Sequence, residues 1–319
     1  MHPICTLSCT YVVNARIFIK VLMTQSCFSD VWLFTHLRNM AKKRNKYARS
    51  FPRHTHPQVS QMNRLLAMDL DKTLLMKDGS IPSEVIEKLK DLRSEGVHLA
   101  ICTGRVRKSA EHYAKLIGGA SVVSFNGSVI RTEDGEVRTS EIPLALMKDV
   151  LDFCYEKNVY VQFYRDDTII VDRFTPELDT DLDVNFTSYE EVGDLRLLDY
   201  DPSPKMVALE MSDRVDGIIV EMNERFPELT VTNSSRYVME IMPKGIDKGY
   251  GLRTVAENLG IGREDTVAIG DSMNDLAMLQ WSGSSVAVHN ADERLKEAAD
   301  IVTENEMSYG VLEAIEKLF

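Results

Sequence analysis

The chain has 319 residues, 44% of them hydrophobic and 27% charged, with a net charge of −12, which is enough apolar material for a full core and more than one domain. Residues 1–61 carry nine Lys and Arg against the single acid Asp30, so residues 62–319 hold a net charge of −20. That balance argues against a general binder of nucleic acid or anionic membrane, whose affinity comes from clustered cations, and no uninterrupted apolar run approaches the roughly 20 residues of a membrane helix.

In residues 1–61 the short apolar runs Val12-Val13 and Ile17-Phe18-Ile19 are broken by Asn14, Arg16 and Lys20, and the stretch from Lys42 to Arg53 is basic and acid-free. This composition fits a disordered or misassigned extension, a targeting presequence or a functional arm, with Met62 as an alternative start. The five cysteines are scattered without a CxxC pair or metal-ligand spacing, as expected of reduced thiols in a reducing compartment.

The patterned region opens with the apolar strand Leu65-Leu66-Ala67-Met68, which delivers Asp69 and Asp71 to one side of the chain ahead of Lys72-Thr73. Two adjacent carboxylates persist together only if a cation neutralises them or one keeps a proton, although helix caps and solvated turns use the same residues. A helix from Ser83 places Val85, Leu89 and Leu92 on one face. The strand His98–Thr103 follows and leads through Gly104 and Arg105 into a helix over 106–117. A Thr hydroxyl with backbone N–H groups at a helix start is an anion cradle and, equally, an ordinary N-cap. A third strand, Val122–Phe125, precedes Asn126-Gly127.

From Ala145 to Met242 the pattern changes. It reads helix 146–157, strands 159–164 and 168–172, strand 205–211, helix 215–225, and strands 229–233 and 237–241, so that an α-β-β unit occurs twice. This predicts a compact α+β insertion whose sheet buries one face, with Tyr160, Phe163, Tyr164 and Tyr237 serving as sheet packing. After it, Lys248 precedes a helix built on Leu252, Val255, Ala256 and Leu259. The strand Thr266–Gly270 ends in Asp271-Ser272-Met273-Asn274-Asp275, a strand follows at 285–288, and the last helix carries Val311, Leu312, Ile315 and Leu318. Strands alternating with helices predict an α/β, doubly wound parallel sheet, with the polar residues gathered at the carboxyl ends of its strands.

In this order, the DxDxT of Asp69, Asp71 and Thr73, then Thr103-Gly104, Lys248 and Gly270-Asp271-Ser272-Met273-Asn274-Asp275 resemble the four motifs of the haloacid dehalogenase superfamily, in its Cof-type branch. The resemblance covers residues 63–319 and implies a core from 62–144 and 243–319 with a cap domain at 145–242 that closes over the site. It implies that Asp69 is the nucleophile and Asp71 the general acid and base. Thr103, Gly104, Arg105, Lys248 and Asn274 would then hold the phosphoryl group. Mg²⁺ would sit on Asp69, the Asp71 carbonyl and Asp271, with Asp275 as ligand or water-mediated support. Lys72 departs from the family's usual Gly, which leaves the loop conformation open. Met307-Ser308-Tyr309-Gly310 is less acidic than its counterpart.

The expected activity is Mg²⁺-dependent hydrolysis of small phosphorylated metabolites, whether sugar phosphates, nucleotides or cofactor phosphates, in the cytoplasm or, if residues 1–61 are a presequence, in an organelle. A phosphomutase or phosphotransferase and a non-catalytic phosphometabolite binder are the alternatives. No nucleic-acid or membrane partner is expected, and the sequence leaves the oligomeric state open.

Overall fold

The computed structural model describes residues 64–175, 187–197, 199 and 201–319; the basic extension over 1–61 and the alternative start at Met62 lie outside the described residues. In chain order the elements are β1 (Arg64–Met68), α1 (Ser83–Ser94), β2 (Val97–Cys102), α2 (Arg107–Leu116), β3 (Ser121–Ser124), β4 (Val129–Arg131), β5 (Val137–Thr139) and α3 (Leu144–Lys157). They continue as β6 (Tyr160–Arg165), β7 (Thr168–Val171), β8 (Tyr189–Glu191), β9 (Met206–Leu209), α4 (Val215–Arg225), β10 (Leu229–Ser235) and β11 (Val238–Pro243). The chain closes with α5 (Lys248–Leu259), β12 (Thr266–Gly270), α6 (Leu276–Trp281), β13 (Ser284–Ala287), α7 (Glu293–Ala298), β14 (Ile301–Val302) and α8 (Met307–Leu318).

The first sheet runs β14-β13-β12-β1-β2-β3-β4-β5, and its first six strands are parallel. Because β1 is flanked on both sides and covered on both faces, its core residues Leu65, Leu66, Ala67 and Met68 form an apolar run instead of an alternating one, and all four are fully buried. Register then does the assembling. Met68 pairs with Ile269 on one side and Ile101 on the other, so β1, β12 and β2 end level and release Asp69, Asp271 and Thr103 at the same edge.

The antiparallel β4-β5 hairpin extends the sheet beyond the parallel strands expected from the sequence. Its turn holds Asp134-Gly135, with Gly135 at φ +90°. Such a dipeptide between strands is a hairpin signal, weakened here because the strands have only three residues and β5 is exposed throughout.

The second sheet runs β10-β11-β9-β6-β7-β8, all antiparallel except the β7-β8 pair. Both α-β-β units are present, α3-β6-β7 and α4-β10-β11. One face is covered by Met147, Val150 and Leu151 of α3 and by Val215, Ile218 and Met222 of α4, packed on Val161, Phe163, Ala208 and Ile241. The sheet buries more than the single face expected. Tyr164, Ile169, Val171 and Val207 pack from its other face onto Val106 and Phe125, in loops of the first sheet, and onto Val129 of β4. Phe163 and Tyr164 separate accordingly, as neighbours on a strand must. Cys102 and Cys154 are buried free thiols, and burial pushes both up to about 12.

Candidate active site

Asp69 leaves β1 with its N–H still bonded to the Ile269 carbonyl, and the chain then turns tightly, with Leu74 N–H reaching back to Asp69 O and Leu75 N–H to Leu70 O. That turn requires Lys72 at φ 58° and ψ 6°, the left-handed region. Lys72 therefore adopts the conformation a glycine would take more cheaply. The same turn brings the Thr73 hydroxyl to Asp271 Oδ1 at 3.2 Å.

Lys248 opens α5, whose N-cap Asp247 accepts from Tyr250 N–H at 2.7 Å. Its side chain is buried and its Nζ donates to Asp69 Oδ1 and to Asp275 Oδ1, each at 2.7 Å. Burial alone would lower the ammonium's pKa, but Asp275 and Asp69 outweigh it and hold Lys248 charged, above its usual value. Asp275 is fully buried and uses its second oxygen to accept from the N–H groups of Asp271 and Ser272, both at 3.0 Å. This needs a glycine at 270, where a Cβ would stand 2.6 Å from the Asp275 Cβ.

One lysine thus faces three buried carboxylates. Burial, reinforced by Asp275, lifts Asp271 to about 7, and burial with the neighbouring acids raises Asp69 well above the usual carboxylate range despite Lys248. The oxygen atoms that Asp69, Asp271 and Asp275 can offer lie within 4.8 Å of one another. Surplus negative charge on hard oxygen donors in a small buried cluster fits a divalent cation.

The Asp71 carboxylate points elsewhere. It is half exposed and gripped by Arg105, with Nε donating to Oδ2 at 2.9 Å and a terminal nitrogen donating to Oδ1 at 2.5 Å. The structure therefore joins Arg105, expected among the phosphate-binding groups, to Asp71. The Thr103 hydroxyl accepts from Arg105 N–H at 3.2 Å. Asn274 accepts from the Ser272 hydroxyl and donates to Asn126 Oδ1 at 3.4 Å.

A cavity of about 230 Å³ collects these groups, lined from below by Asp69, Asp71, Lys72, Gly104, Arg105, Lys248, Asp271, Ser272 and Asn274. Thr103 and Asp275 sit behind its wall. The second sheet lines the rest with Tyr164, Lys205, Val207, Val238 and Glu240. Lys205 and Glu240 escape a reading from sequence; their faint signal is a charge inside or beside an apolar strand, Lys205 before Met206–Leu209 and Glu240 between Met239 and Ile241. Tyr164, expected as packing, both lines the cavity and meets Phe125 edge-on, with ring centroids 5.1 Å apart.

An open, mainly parallel sheet with a buried Asp–Lys–Asp centre at its strand ends, roofed by an inserted α+β unit, defines a doubly wound α/β protein with a carboxylate centre. The family model described as haloacid dehalogenase-like hydrolase matches residues 66–315, and the chain belongs to that family as an enzyme of its phosphatase type. A phosphoglycolate phosphatase of Archaeoglobus fulgidus is 31% identical over 257 residues, covering 80% of this chain and 96% of its own. A 5-amino-6-(5-phospho-D-ribitylamino)uracil phosphatase of Bacillus subtilis is 28% identical over 272 residues, covering 80% and 97%. Among solved structures, a haloacid dehalogenase-like hydrolase from Bacteroides thetaiotaomicron superposes with a TM-score of 0.71 at 28% identity, covering 80% of this chain and 99% of that one.

Proposed function

We propose that this protein is a Mg²⁺-dependent phosphomonoesterase that hydrolyses small phosphorylated metabolites through a phosphoryl group carried on Asp69. The observation that carries this reading is the bond from Lys248 Nζ to Asp69 Oδ1, which fixes one carboxylate oxygen and leaves Oδ2 with no protein donor among the described hydrogen bonds. Asp69 Oδ2 attacks phosphorus as the bond to the leaving oxygen breaks, and Asp71 gives that oxygen a proton. Asp71 then removes a proton from the water that attacks the aspartyl-phosphate, releasing phosphate and restoring Asp69.

Asp71 has to turn at least one oxygen away from Arg105 to do this. Lys248 offsets charge on the transferring phosphoryl oxygens, and the Thr103 hydroxyl, buried beside the cavity and already an acceptor for Arg105 N–H, keeps its own hydrogen and has to turn it towards the cavity to donate to one of them. Gly104, Arg105 and Asn274 complete the phosphate pocket. Mg²⁺ held by Asp69, Asp271 and the Asp71 carbonyl would neutralise charge as nucleophile and phosphate meet. Both oxygens of Asp275 are already used by Lys248 and the Asp271 and Ser272 N–H groups, which favours a supporting role for Asp275 behind the ligands.

The size of the cavity supports small substrates, as do relatives named for phosphoglycolate and for a ribitylaminouracil phosphate. Among the described residues no helix is long and apolar enough to cross a membrane. The reading is tested by phosphate release from a panel of phosphorylated metabolites with Asp69→Asn beside the wild type. The amide keeps the volume and cannot attack, so turnover should fall below roughly one per cent. Substantial turnover by a folded Asp69→Asn protein would sink the covalent route.

A further inference from the structure

Lys205 and Glu240 form an ion pair whose side chains are almost wholly buried, although the inserted unit has an apolar core of its own elsewhere. Removing two charges from water costs several kcal/mol per ion, so such a pair needs compensation. The compensation comes from the catalytic side. Lys205 Nζ donates to Glu240 Oε1 at 2.9 Å and reaches across to the Gly104 carbonyl at 2.7 Å. Glu240 Oε2 accepts from Asn126 Nδ2 at 2.7 Å. The approach is close enough that a Cβ on Gly104 would lie 3.0 Å from Glu240 Oε1 and 3.1 Å from Asn126 Oδ1.

The Gly104 carbonyl and the Arg105 N–H are two ends of one planar peptide group. Lys205 holds its oxygen from the inserted unit, and the Thr103 hydroxyl holds its N–H from below. On one side this plane fixes the hydroxyl assigned to a phosphoryl oxygen. On the other it sets the root of the Arg105 side chain that grips Asp71.

We propose that Lys205 is a positioning residue: by clamping the Gly104–Arg105 peptide it couples seating of the inserted unit to the placement of Thr103 and, through Arg105, of Asp71. The inference rests on the reading of Asp71 as the group that protonates the leaving oxygen. Closure over a substrate and readiness for proton transfer then become one event, with the peptide plane as the link.

The experiment measures kcat/KM of the full chain with a series of aryl phosphates from 4-nitrophenyl phosphate, whose leaving oxygen needs no proton, to phenyl phosphate, whose leaving oxygen does. Lys205→Met keeps the aliphatic stem and loses the clamp. It should cost no more than about tenfold on the nitrophenyl ester and about 100-fold more than that on phenyl phosphate, the range of a lost general acid. Lys205→Arg, which keeps a donor, should fall between. An equal loss along the series, or no loss, in a protein with a cooperative thermal transition overturns the proposal, since a merely structural pair would not change the dependence on leaving group. If Lys205→Met does not fold, Glu240→Gln must show the same steepening in smaller measure, and a parallel shift overturns the proposal there too. Asp71→Asn run on the same series separates the two readings: if it does not steepen the dependence on leaving group, Asp71 is not the proton donor, whereas steepening in Asp71→Asn without steepening in Lys205→Met overturns the clamp alone.

Discussion

At the scale of single residues, the site is organised by which polar atoms are already engaged. Lys248 immobilises one oxygen of Asp69, Asp275 spends both of its oxygens on support, and Arg105 takes the carboxylate of Asp71 out of the acidic cluster. Lys72 is one of the described non-glycine residues whose backbone lies at positive φ. Its φ of 58° is held in place because its carbonyl accepts from Asn290 Nδ2 at 2.8 Å and the turn around it is closed by backbone bonds. A left-handed non-glycine residue costs about 1–2 kcal/mol, so Lys72→Gly should be more stable than Lys72→Ala by about 1 kcal/mol in chemical denaturation. Equal stability of the two variants would mean that the turn relaxes without cost. Lys72 shows how far a departure from a family pattern can be read. The sequence shows where the unusual residue stands, and whether it takes the unusual backbone depends on contacts made over 200 positions away.

At the scale of elements, α8 is fastened by a carboxylate rather than by apolar contacts alone. Glu313 accepts from the N–H groups of Glu304 and Asn305 and from Asn305 Nδ2, and Lys317 stands 2.6 Å from it. Burial would raise its carboxyl, yet Lys317 and these N–H donors hold it down at about 2 against the usual 4.5. A depressed pKa in the folded state contributes stability that is complete above 4.5 and lost as pH falls towards 2. Glu313→Gln should therefore flatten the dependence of Tm on pH between about 4.5 and 2, while costing most near neutrality. Wild-type and variant curves that run parallel across that window would show that the carboxylate does not anchor the helix. Elements with a strong period were legible: α1 buries Val85, Leu89 and Leu92 as its spacing requires. The β4-β5 hairpin was not, because strands of three residues offer too few positions for a period to be seen.

At the scale of the whole molecule, the described chain has two large apolar cores joined by a small third one. The core of the first sheet draws on β1, β2, β12 and β13 with the helices that cover them, while the second is confined to residues 142–241. The joining cluster places Tyr164, Ile169, Val171 and Val207 on Val106, Phe125 and Val129. Replacing residues 145–242 by a short Gly/Ser linker, with Phe125 and Val129 made polar, should leave a protein that unfolds cooperatively, because the first core loses none of its own members. Its kcat/KM should fall by orders of magnitude for phenyl phosphate and much less for 4-nitrophenyl phosphate, since Lys205 and Glu240 leave with the insertion while Asp69, Lys248 and Asp271 remain. Equal losses on both esters would place a directly catalytic group in the insertion.

What the sequence by itself determined is the set of strand ends and their cargo. Asp69, Thr103 and Asp271 each follow an apolar run, and parallel strands in a covered sheet bring such ends level, so local periodicity and composition were enough to gather them. Lys248 was legible only through the resemblance, from its place ahead of Gly270-Asp271-Ser272-Met273-Asn274-Asp275, since a lysine at a helix start is ordinarily a solvated surface residue. Only the tertiary structure decided the partners of the long polar side chains. The bonds from Lys205 to Gly104 and from Asn126 to Glu240 cross 101 and 114 positions between two separately built sheets. The pairing of Asp71 with Arg105 crosses 34. A strand's period fixes which face a residue occupies, but a flexible charged side chain goes wherever its desolvation is best offset, and that place exists only once the two sheets have docked.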